Sequence, residues 1–213
     1  MNIWIRWIFD AFVDSSNPRS LAFRLRKRRL QVVLDILQPD GHTLVVDVGS
    51  YSAFFRQGWP YPDRVIGLDV VWREEFRQRD GLTVVADVRA LPFKDRSVDI
   101  LCNSVMEHVG PLKEQQQAAS EIVRAGRKYF VQIPHKYFPI DPHYFTIPFF
   151  HFLPMAWQRW ICRFAGVGFI PRGDFLEIHY LTVSQLQMLF PKARILRERF
   201  CGLTKSLYAI SQH

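Results

Sequence analysis

The chain has 213 residues, 48% of them hydrophobic, which is enough for one domain with an insertion and excludes global disorder. Its net charge is +8, and residues 1–30 hold seven basic against two acidic side chains. Such an excess favours an anionic partner: a membrane surface, a nucleic acid or an acidic substrate. The three cysteines lie far apart without metal-ligand spacing, so neither a disulfide framework nor a metal site is predicted.

Residues 2–14 form an amino-terminal arm with a polar residue at every fourth position, which predicts an amphipathic helix. The arm lacks signal-peptide features and is too short and charged to span a bilayer, which takes about 20 apolar residues. Two interpretations stay open: the helix lies in a membrane interface while residues 19–29 contact anionic lipid, or it packs on the body of the protein. A nucleic-acid partner is unsupported by any recognition motif.

The body of the chain alternates apolar β-branched runs with helical patterns. After a helix at 20–37, strands are predicted at 43–48, 64–69, 82–86, 97–103 and 127–133. Crossover helices are predicted at 53–57, 72–79 and 112–124. Alternation of this kind implies a parallel sheet with right-handed crossovers.

Acidic residues end the first two of these strands. Asp47 is followed by Gly49 and Ser50, a strand-turn at which backbone N–H groups can face a nucleotide-like ligand. Asp69 lies 22 positions later and can accept both hydrogen bonds of a ribose diol. The alternatives are an ordinary glycine turn at the first strand and a helix N-cap or solvated loop acid at the second.

A family resemblance follows from these acids and from the run ADVRALPFKDRSVDILCNSVMEHV, which contains Asp87. Together they resemble the class I S-adenosylmethionine-dependent methyltransferases, and LPF-x-D-x-S-hydrophobic-D followed by EHV is typical of the small-molecule type 11 branch. The resemblance implies an α/β, Rossmann-like fold: a seven-stranded, mostly parallel sheet with helices on both faces and an aromatic lid insertion after strand five. It also implies S-adenosyl-L-methionine as the cofactor.

The resemblance assigns a role to each matching residue. Asp47 holds the methionine amino end, Gly49 lets the backbone approach, and Asp69 binds the ribose hydroxyls. Asp87 accepts from the adenine amino group, with a backbone N–H from Val88, while two residues after strand four lie beside the methionine part. The predicted cofactor-binding set is Asp47, Gly49, Ser50, Tyr51, Asp69, Val70, Asp87, Val88, Asn103 and Ser104.

The cofactor loop departs from the family pattern Asp-x-Gly-x-Gly-x-Gly. Tyr51 and Ala53 replace the second and third glycines. A tyrosine here must turn its side chain away from the cofactor, and its backbone freedom is restricted. The tyrosine therefore raises three alternatives: weak cofactor affinity, a loop ordered only on binding, or a non-catalytic methyltransferase-like module at a membrane surface.

Residues 134–182 interrupt the α/β alternation with six prolines and thirteen aromatic residues, which predicts a substrate lid. An amphipathic helix is expected at 155–165. With the arm, its aromatic and arginine residues suit a lipid-bearing substrate, or the aromatics fill the lid's own core. We therefore expect an arm at 1–40 and a methyltransferase domain at 41–213.

Three histidines are candidates for a catalytic base. The stretch PHKYFPIDPHY resembles a methyltransferase subgroup and contains His135 and His143, the latter two residues after Asp141. His108 lies in the EHV motif, beside Glu107. Transfer to a hydroxyl needs a base to take its proton, and imidazole suits this near neutral pH. A structural histidine hydrogen-bonded to backbone is the alternative for each.

The carboxyl end is predicted to add two strands, at 193–200 and 205–210, one of them antiparallel. A helix within 177–189 precedes them, with Thr182 or Ser184 as its N-cap. We expect a cytoplasmic enzyme, peripheral on the inner face of the membrane, that O-methylates a small-molecule or lipid- or glycan-linked acceptor. The acceptor atom could instead be nitrogen or carbon. Two other enzyme classes are alternatives: an NAD-dependent oxidoreductase and a tRNA methyltransferase. The sequence makes no prediction of the oligomeric state.

Overall fold

The computed structural model describes residues 11, 14, 17–50, 54–72 and 82–212. The helices predicted at 2–14 and 72–79 lie outside these residues, apart from positions 11, 14 and 72. The chain divides into two compact units. The sheet unit comprises Val33–Lys136 and Ile178–His213, and the aromatic unit comprises Met1–Val32 and Tyr137–Glu177.

The sheet unit is built on seven strands in the order β3-β2-β1-β4-β5-β7-β6. Neighbours run parallel from β3 to β5, and β7 is antiparallel to both β5 and β6. The seven-stranded, mostly parallel sheet predicted from the sequence is therefore confirmed. Its strands are β1 (Val45–Val48), β2 (Val65–Asp69), β3 (Thr83–Val85), β4 (Val98–Asn103), β5 (Gly126–Pro134), β6 (Ala193–Phe200) and β7 (Leu203–Ser211).

Burial of the central strands follows from their β-branched composition. All four residues of β1 are buried, and so are five of the six in β4, as expected for strands covered on both faces. Helix α3 (Leu112–Ala125) buries Gln115, Ala118, Ala119, Ile122 and Ala125, which recur at the i, i+3, i+4 spacing of one helical face. The core of the sheet unit therefore forms where the apolar strands meet small residues of this helix.

The remaining helices begin and end where local sequence signals change. Helix α1 (Leu21–Leu37) is followed by Pro39 and Gly41, and α2 (Phe54–Gln57) is a single turn after β1. Helix α5 (Val183–Leu189) has Thr182 as its N-cap in a capping box with Gln185. Of the two predicted N-cap residues, Thr182 and Ser184, Thr182 is the N-cap in the structure.

The aromatic unit contains helix α4 (Met155–Phe164) and two short 3-10 turns, Pro142–Tyr144 and Phe150–Phe152. Its interior holds Tyr144 and Phe150, whose ring centroids are 4.7 Å apart, and the Tyr144 hydroxyl donates to the Leu176 carbonyl. Buried aromatic pairs of this kind give a small insertion a core of its own. None of the helices that the structure describes combines the length and apolar character needed to cross a bilayer.

Candidate cofactor-binding site

A cleft of about 180 Å³ opens at the carboxyl ends of β1, β2 and β3. Ligands of open α/β sheets bind at this edge, where β1 lies between β2 and β4 and the strand order reverses. The 3-10 turn Met106–His108 closes the fourth side. Its lining residues are Val48, Gly49, Leu68, Asp69, Val70, Ala86, Asp87, Val88, Arg89, Val105, His108 and Val109.

Gly49 turns the chain at the end of β1. Its φ is +69°, a left-handed conformation that favours glycine, and its N–H donates to the Leu68 carbonyl at 2.7 Å. A Cβ placed on Gly49 would lie 2.4 Å from Val105 Cγ2. The backbone at the floor of the cleft is therefore open to a ligand only because this position carries no side chain.

Asp69 ends β2 at the rim of the cleft and is partly exposed. Its Oδ1 accepts a hydrogen bond from the Val71 N–H at 3.2 Å, which fixes the carboxylate against its own loop. A carboxylate has about four lone-pair sites. One weak backbone contact therefore leaves most of its acceptor capacity for neighbouring hydroxyl groups.

Asp87 follows β3 and is held by Arg89. The Arg89 N–H donates to Asp87 Oδ1 at 2.8 Å, and the guanidinium Nη2 lies 2.6 Å from Oδ2. These hydrogen bonds from Arg89 lower the pKa of the Asp87 carboxyl, so it is ionised near neutral pH. Between them, the Val88 N–H has no acceptor among the described residues.

The LPFKD segment after Asp87 is clamped onto helix α3. Glu121 Oε2 accepts from the Leu91 N–H at 2.8 Å, and Arg124 Nη1 donates to Phe93 O at 2.9 Å and to Asp95 Oδ1 at 2.7 Å. Charged partners on both sides hold this loop in one conformation. The motif therefore acts as a brace that positions Asp87 and Val88.

Four of the predicted cofactor residues do not line the cleft as described. Asp47 is buried within β1. Ser50 packs its Oγ over β2, where a Cβ on Gly67 would lie 2.5 Å from it. Asn103 ends β4, and Ser104 follows with a φ of +55°. Tyr51 lies outside the described residues, so its effect on the loop stays a prediction.

Ser104 is tied to the neighbouring strand by two hydrogen bonds. Its N–H donates to the Gln132 carbonyl at 3.0 Å, and its Oγ donates to Gln132 Oε1 at 2.7 Å. Left-handed backbone costs a non-glycine residue about 1–2 kcal/mol. Gln132, which the sequence interpretation passed over, holds Ser104 in that conformation.

The three candidate histidines occupy different surroundings. His108 is exposed on the rim of the cleft. His135 is not among the cleft-lining residues; it continues β5 and its N–H donates to Lys205 O at 2.9 Å. Burial lowers the pKa of His135, Arg197 lowers it further, and a hydrogen bond with the Thr204 backbone opposes both. Of the two candidate histidines in the sheet unit, only His108 lines the cleft.

His143 belongs to the aromatic unit and is paired with Asp141. Its Nδ1 lies 2.8 Å from Asp141 Oδ1, and its backbone N–H donates to the same oxygen at 2.7 Å. The Asp141 carboxylate is buried, and the His143 carbonyl accepts from the Phe169 N–H at 3.0 Å. A carboxylate bound at Nδ1 selects the tautomer with a proton on Nδ1 and leaves Nε2 as an acceptor.

Besides Val48, Leu68 and Ala86, which lie in predicted strands, three cleft residues escaped the sequence interpretation: Arg89, Val105 and Val109. Arg89 was visible in principle, because a cation two residues after an acid can pair with it. The two valines carry no such signal, since their role depends on the 3-10 turn that follows β4. No group of three or more potential metal ligands occurs among the described residues.

Comparisons with known proteins agree with this geometry. The family model described as a methyltransferase domain, of the type 11 family, matches residues 46–129. The demethylmenaquinone methyltransferase of Thermotoga maritima is 25% identical over 198 residues, covering 86% of this chain and 81% of the relative. Residues 46–129 of this chain therefore form a methyltransferase domain of the class I, S-adenosylmethionine-dependent type.

Solved structures of other methyltransferases share the fold of this methyltransferase. A 1,6-didemethyltoxoflavin-N1-methyltransferase from Burkholderia thailandensis, solved with bound S-adenosylhomocysteine, matches at a TM-score of 0.57 and 14% identity, over 88% of this chain and 78% of that one. A SAM-dependent methyltransferase from Methanosarcina mazei matches at 0.54 and 13%, over 84% and 94%. At such identities the likeness concerns the fold.

The cleft residues of the methyltransferase fit its cofactor. Gly49 leaves the floor free of a side chain, Asp69 offers acceptors at the end of β2, and Val88 offers an N–H beside Asp87. Carboxylates, one close backbone approach and an apolar lining are the chemistry that a nucleoside with a free diol requires. The described cleft suits the adenosine part, while the residues predicted for the methionine part lie outside its lining.

Proposed function

We propose that this methyltransferase transfers a methyl group to a hydroxyl of a small-molecule or lipid- or glycan-linked acceptor. Bound S-adenosylmethionine supplies a methyl group on a positively charged sulfur, and transfer to an alcohol oxygen also requires removal of the hydroxyl proton. The chain must therefore orient the acceptor in line and provide a base. The rest of the proposal concerns which residues do this.

The observation that carries the proposal is the Asp141–His143 pair. Its buried carboxylate accepts from Nδ1 at 2.8 Å, which selects the tautomer whose Nε2 carries no proton and acts as the base, and the positive charge then formed is stabilised by the carboxylate. Methyl transfer to an activated carbon can do without such a base at the acceptor. His108, on the cleft rim, is the second candidate, and His135 the third.

The cofactor contacts are proposed as the sequence predicted them. Asp69 binds the ribose hydroxyls, Asp87 accepts from the adenine amino group, and the Val88 N–H meets the ring. Support comes from the shared cleft and from the unused Val88 N–H. Asp47, Asn103 and Ser104 are proposed for the methionine part.

A second candidate is methylation of carbon on a quinone-like acceptor. It is favoured by the relative from Thermotoga maritima, a demethylmenaquinone methyltransferase whose similarity spans 86% of this chain. The two candidates differ in the atom that receives the methyl group and in the need for a base. A chemical test of the product separates them.

The experiment uses the purified full chain, S-adenosylmethionine with a radiolabelled methyl group, and a total lipid extract from the source cells. Products are then heated with hydriodic acid, which cleaves methyl ethers and releases labelled methyl iodide but leaves carbon-bound methyl groups in place. Release of the label supports O-methylation. Label that stays with the quinone fraction supports the second candidate and overturns the first.

The same assay assigns the base. His143→Ala is expected to lower the rate by about 10²–10⁴-fold, the usual contribution of a positioned base. His108→Ala is the parallel variant. The matched control is His42→Ala, because His42 is exposed in the turn before β1, at the opposite end of the strand from the cleft. Full activity in both test variants would remove the base from the proposal.

We propose that the acceptor is met at an anionic membrane surface, supported by the charge of residues 1–30. Deletion of residues 1–17 is expected to weaken binding to anionic vesicles, and unchanged binding would leave the packing interpretation of the arm. The limits of the arm at 1–40 and of the lid at 134–182 stay proposals. Limited proteolysis with and without cofactor tests them through protection of the lid.

A further inference from the structure

The aromatic unit carries a group of large side chains on its surface. We call six of them the aromatic face, each about half exposed or more: Phe149, Phe152, Trp157, Trp160, Phe164 and Phe169. An exposed aromatic residue by itself is ordinary in globular proteins. Six within 21 consecutive positions concentrate exposed apolar area in one segment, and concentrated apolar area is typical of an interaction site.

Helix α4 has a buried side and an exposed side, and its aromatic rings lie on the exposed one. Trp157, Trp160 and Phe164 share one side at i, i+3 and i+7, and are 64%, 66% and 55% exposed. Cys162 is on the other side and is fully buried. The helix thus packs through small and medium side chains and presents its largest rings outward.

Two local features hold the rings in this arrangement. The Trp160 and Phe164 rings contact edge to face, with centroids 5.4 Å apart. Phe149 has a φ of +62°, which is costly for a bulky residue, and its N–H is held by the Pro139 carbonyl at 2.7 Å. The backbone therefore accepts strain at a position whose side chain is 55% exposed.

Positive charge accompanies the aromatic face. Helix α4 contains Arg159 and Arg163 and no acidic residue. Arg163 lies over the Phe164 ring at 5.9 Å, while Arg159 lies over Phe175 at 5.1 Å and pairs with Glu177 at 3.1 Å. The aromatic unit as a whole has ten basic and five acidic side chains, a net charge of +5 out of +8 for the chain.

We propose that the aromatic face docks onto an anionic lipid bilayer. Trp157, Trp160 and Phe164 enter the headgroup region, where amphipathic rings are most stable, and Arg163 contacts lipid phosphates. The chain rests on the bilayer surface through this face. The inference rests on the proposed methyl transfer at a membrane surface, but it does not depend on which acceptor atom is methylated.

The test is vesicle binding of the full chain, measured by flotation with vesicles of phosphatidylcholine and phosphatidylglycerol at 7:3, and with phosphatidylcholine alone. Trp157→Ser/Trp160→Ser is expected to weaken partitioning onto both kinds of vesicle by about tenfold or more, because two inserted rings are lost. Trp72→Ser is the matched control, an exposed tryptophan of the sheet unit that should leave partitioning unchanged. Arg163→Gln should weaken binding only to the anionic vesicles.

Three results would overturn the inference. The first is equal partitioning of the double tryptophan variant and the wild type. The second is an equal loss in Trp72→Ser. The third is a concentration-dependent dimer of the wild type that the double variant abolishes, since the face would then be covered by a second copy of the chain.

Calorimetric titration with S-adenosylmethionine separates this inference from the proposed function. Cofactor binding should be unchanged in the double tryptophan variant, because the cleft is lined by residues of the sheet unit. Normal vesicle binding with no transfer to any hydroxyl would contradict the proposed function and leave the docking inference standing.

Discussion

The two units of this methyltransferase use apolar residues in opposite ways. In the sheet unit, the β-branched residues of β1 and β4 are buried, and the cleft at their edge combines an apolar lining with the acids Asp69 and Asp87. In the aromatic unit, the interior is small, and Trp157 and Trp160 face outward. Apolar residues therefore build a core in one unit and an exposed aromatic surface in the other.

The largest expected effect concerns the cleft. Asp69→Ala removes the carboxylate proposed to accept two ribose hydrogen bonds, and should weaken S-adenosylmethionine binding about a hundredfold, since each such bond contributes about 1.5 kcal/mol. Isothermal titration measures the change. Asp63→Ala is the matched control, because Asp63 is an exposed acid in the turn before β2. Equal losses in both variants would mean that the ribose assignment is wrong.

The second prediction tests why the sheet unit needs glycine at position 49. Gly49→Ala should lower the free energy of unfolding by about 2 kcal/mol, through its left-handed φ and its overlap with Val105. Gly202→Ala has a similar φ of +80° but meets nothing within 4 Å, so it should cost about 1 kcal/mol. Urea unfolding measures both. A second substitution, Val105→Ala, should recover part of the loss in Gly49→Ala only.

The third prediction compares the two sides of helix α4. Cys162→Ser puts a hydroxyl in a fully buried position, and should lower the free energy of unfolding by about 1–2 kcal/mol. Trp160→Ser, on the exposed side, should change it by less than about 0.5 kcal/mol. Thermal unfolding of the two variants measures both changes in the free energy of unfolding. A large loss in Trp160→Ser would show that its ring supports the fold.

The smallest effect is expected at Arg89. The Arg89–Asp87 pair is partly exposed, so Arg89→Gln should lower the free energy of unfolding only slightly at pH 7. Since Arg89 holds the pKa of Asp87 below its usual range, this stabilisation is present above the unfolded pKa and is lost as pH falls through the folded one. Urea unfolding of the wild type and Arg89→Gln from pH 7 to 3 should therefore converge only below about pH 4. A constant difference across that range would assign the loss to packing of the arginine stem.

The strands and the positions of the acids were open to prediction from the sequence. The runs that became β1, β2 and β4 are short and apolar, Asp69 ends the second predicted strand, and Asp87 directly follows the third. The brace on the LPFKD segment was not predictable. It joins Leu91 and Phe93 to side chains about 30 positions away, and no local pattern encodes a contact at that distance.

The sequence by itself determined the class of fold and the edge of the sheet at which the acids meet, because parallel strands bring their carboxyl ends together whatever the loops do. Only the tertiary structure decided which residues share the cleft, how Arg89 holds Asp87, and which side of helix α4 is outside. These outcomes depend on how distant segments pack. Helical spacing grouped Trp157, Trp160 and Phe164 on one face, but only packing determined that Cys162 lies inside and the rings do not.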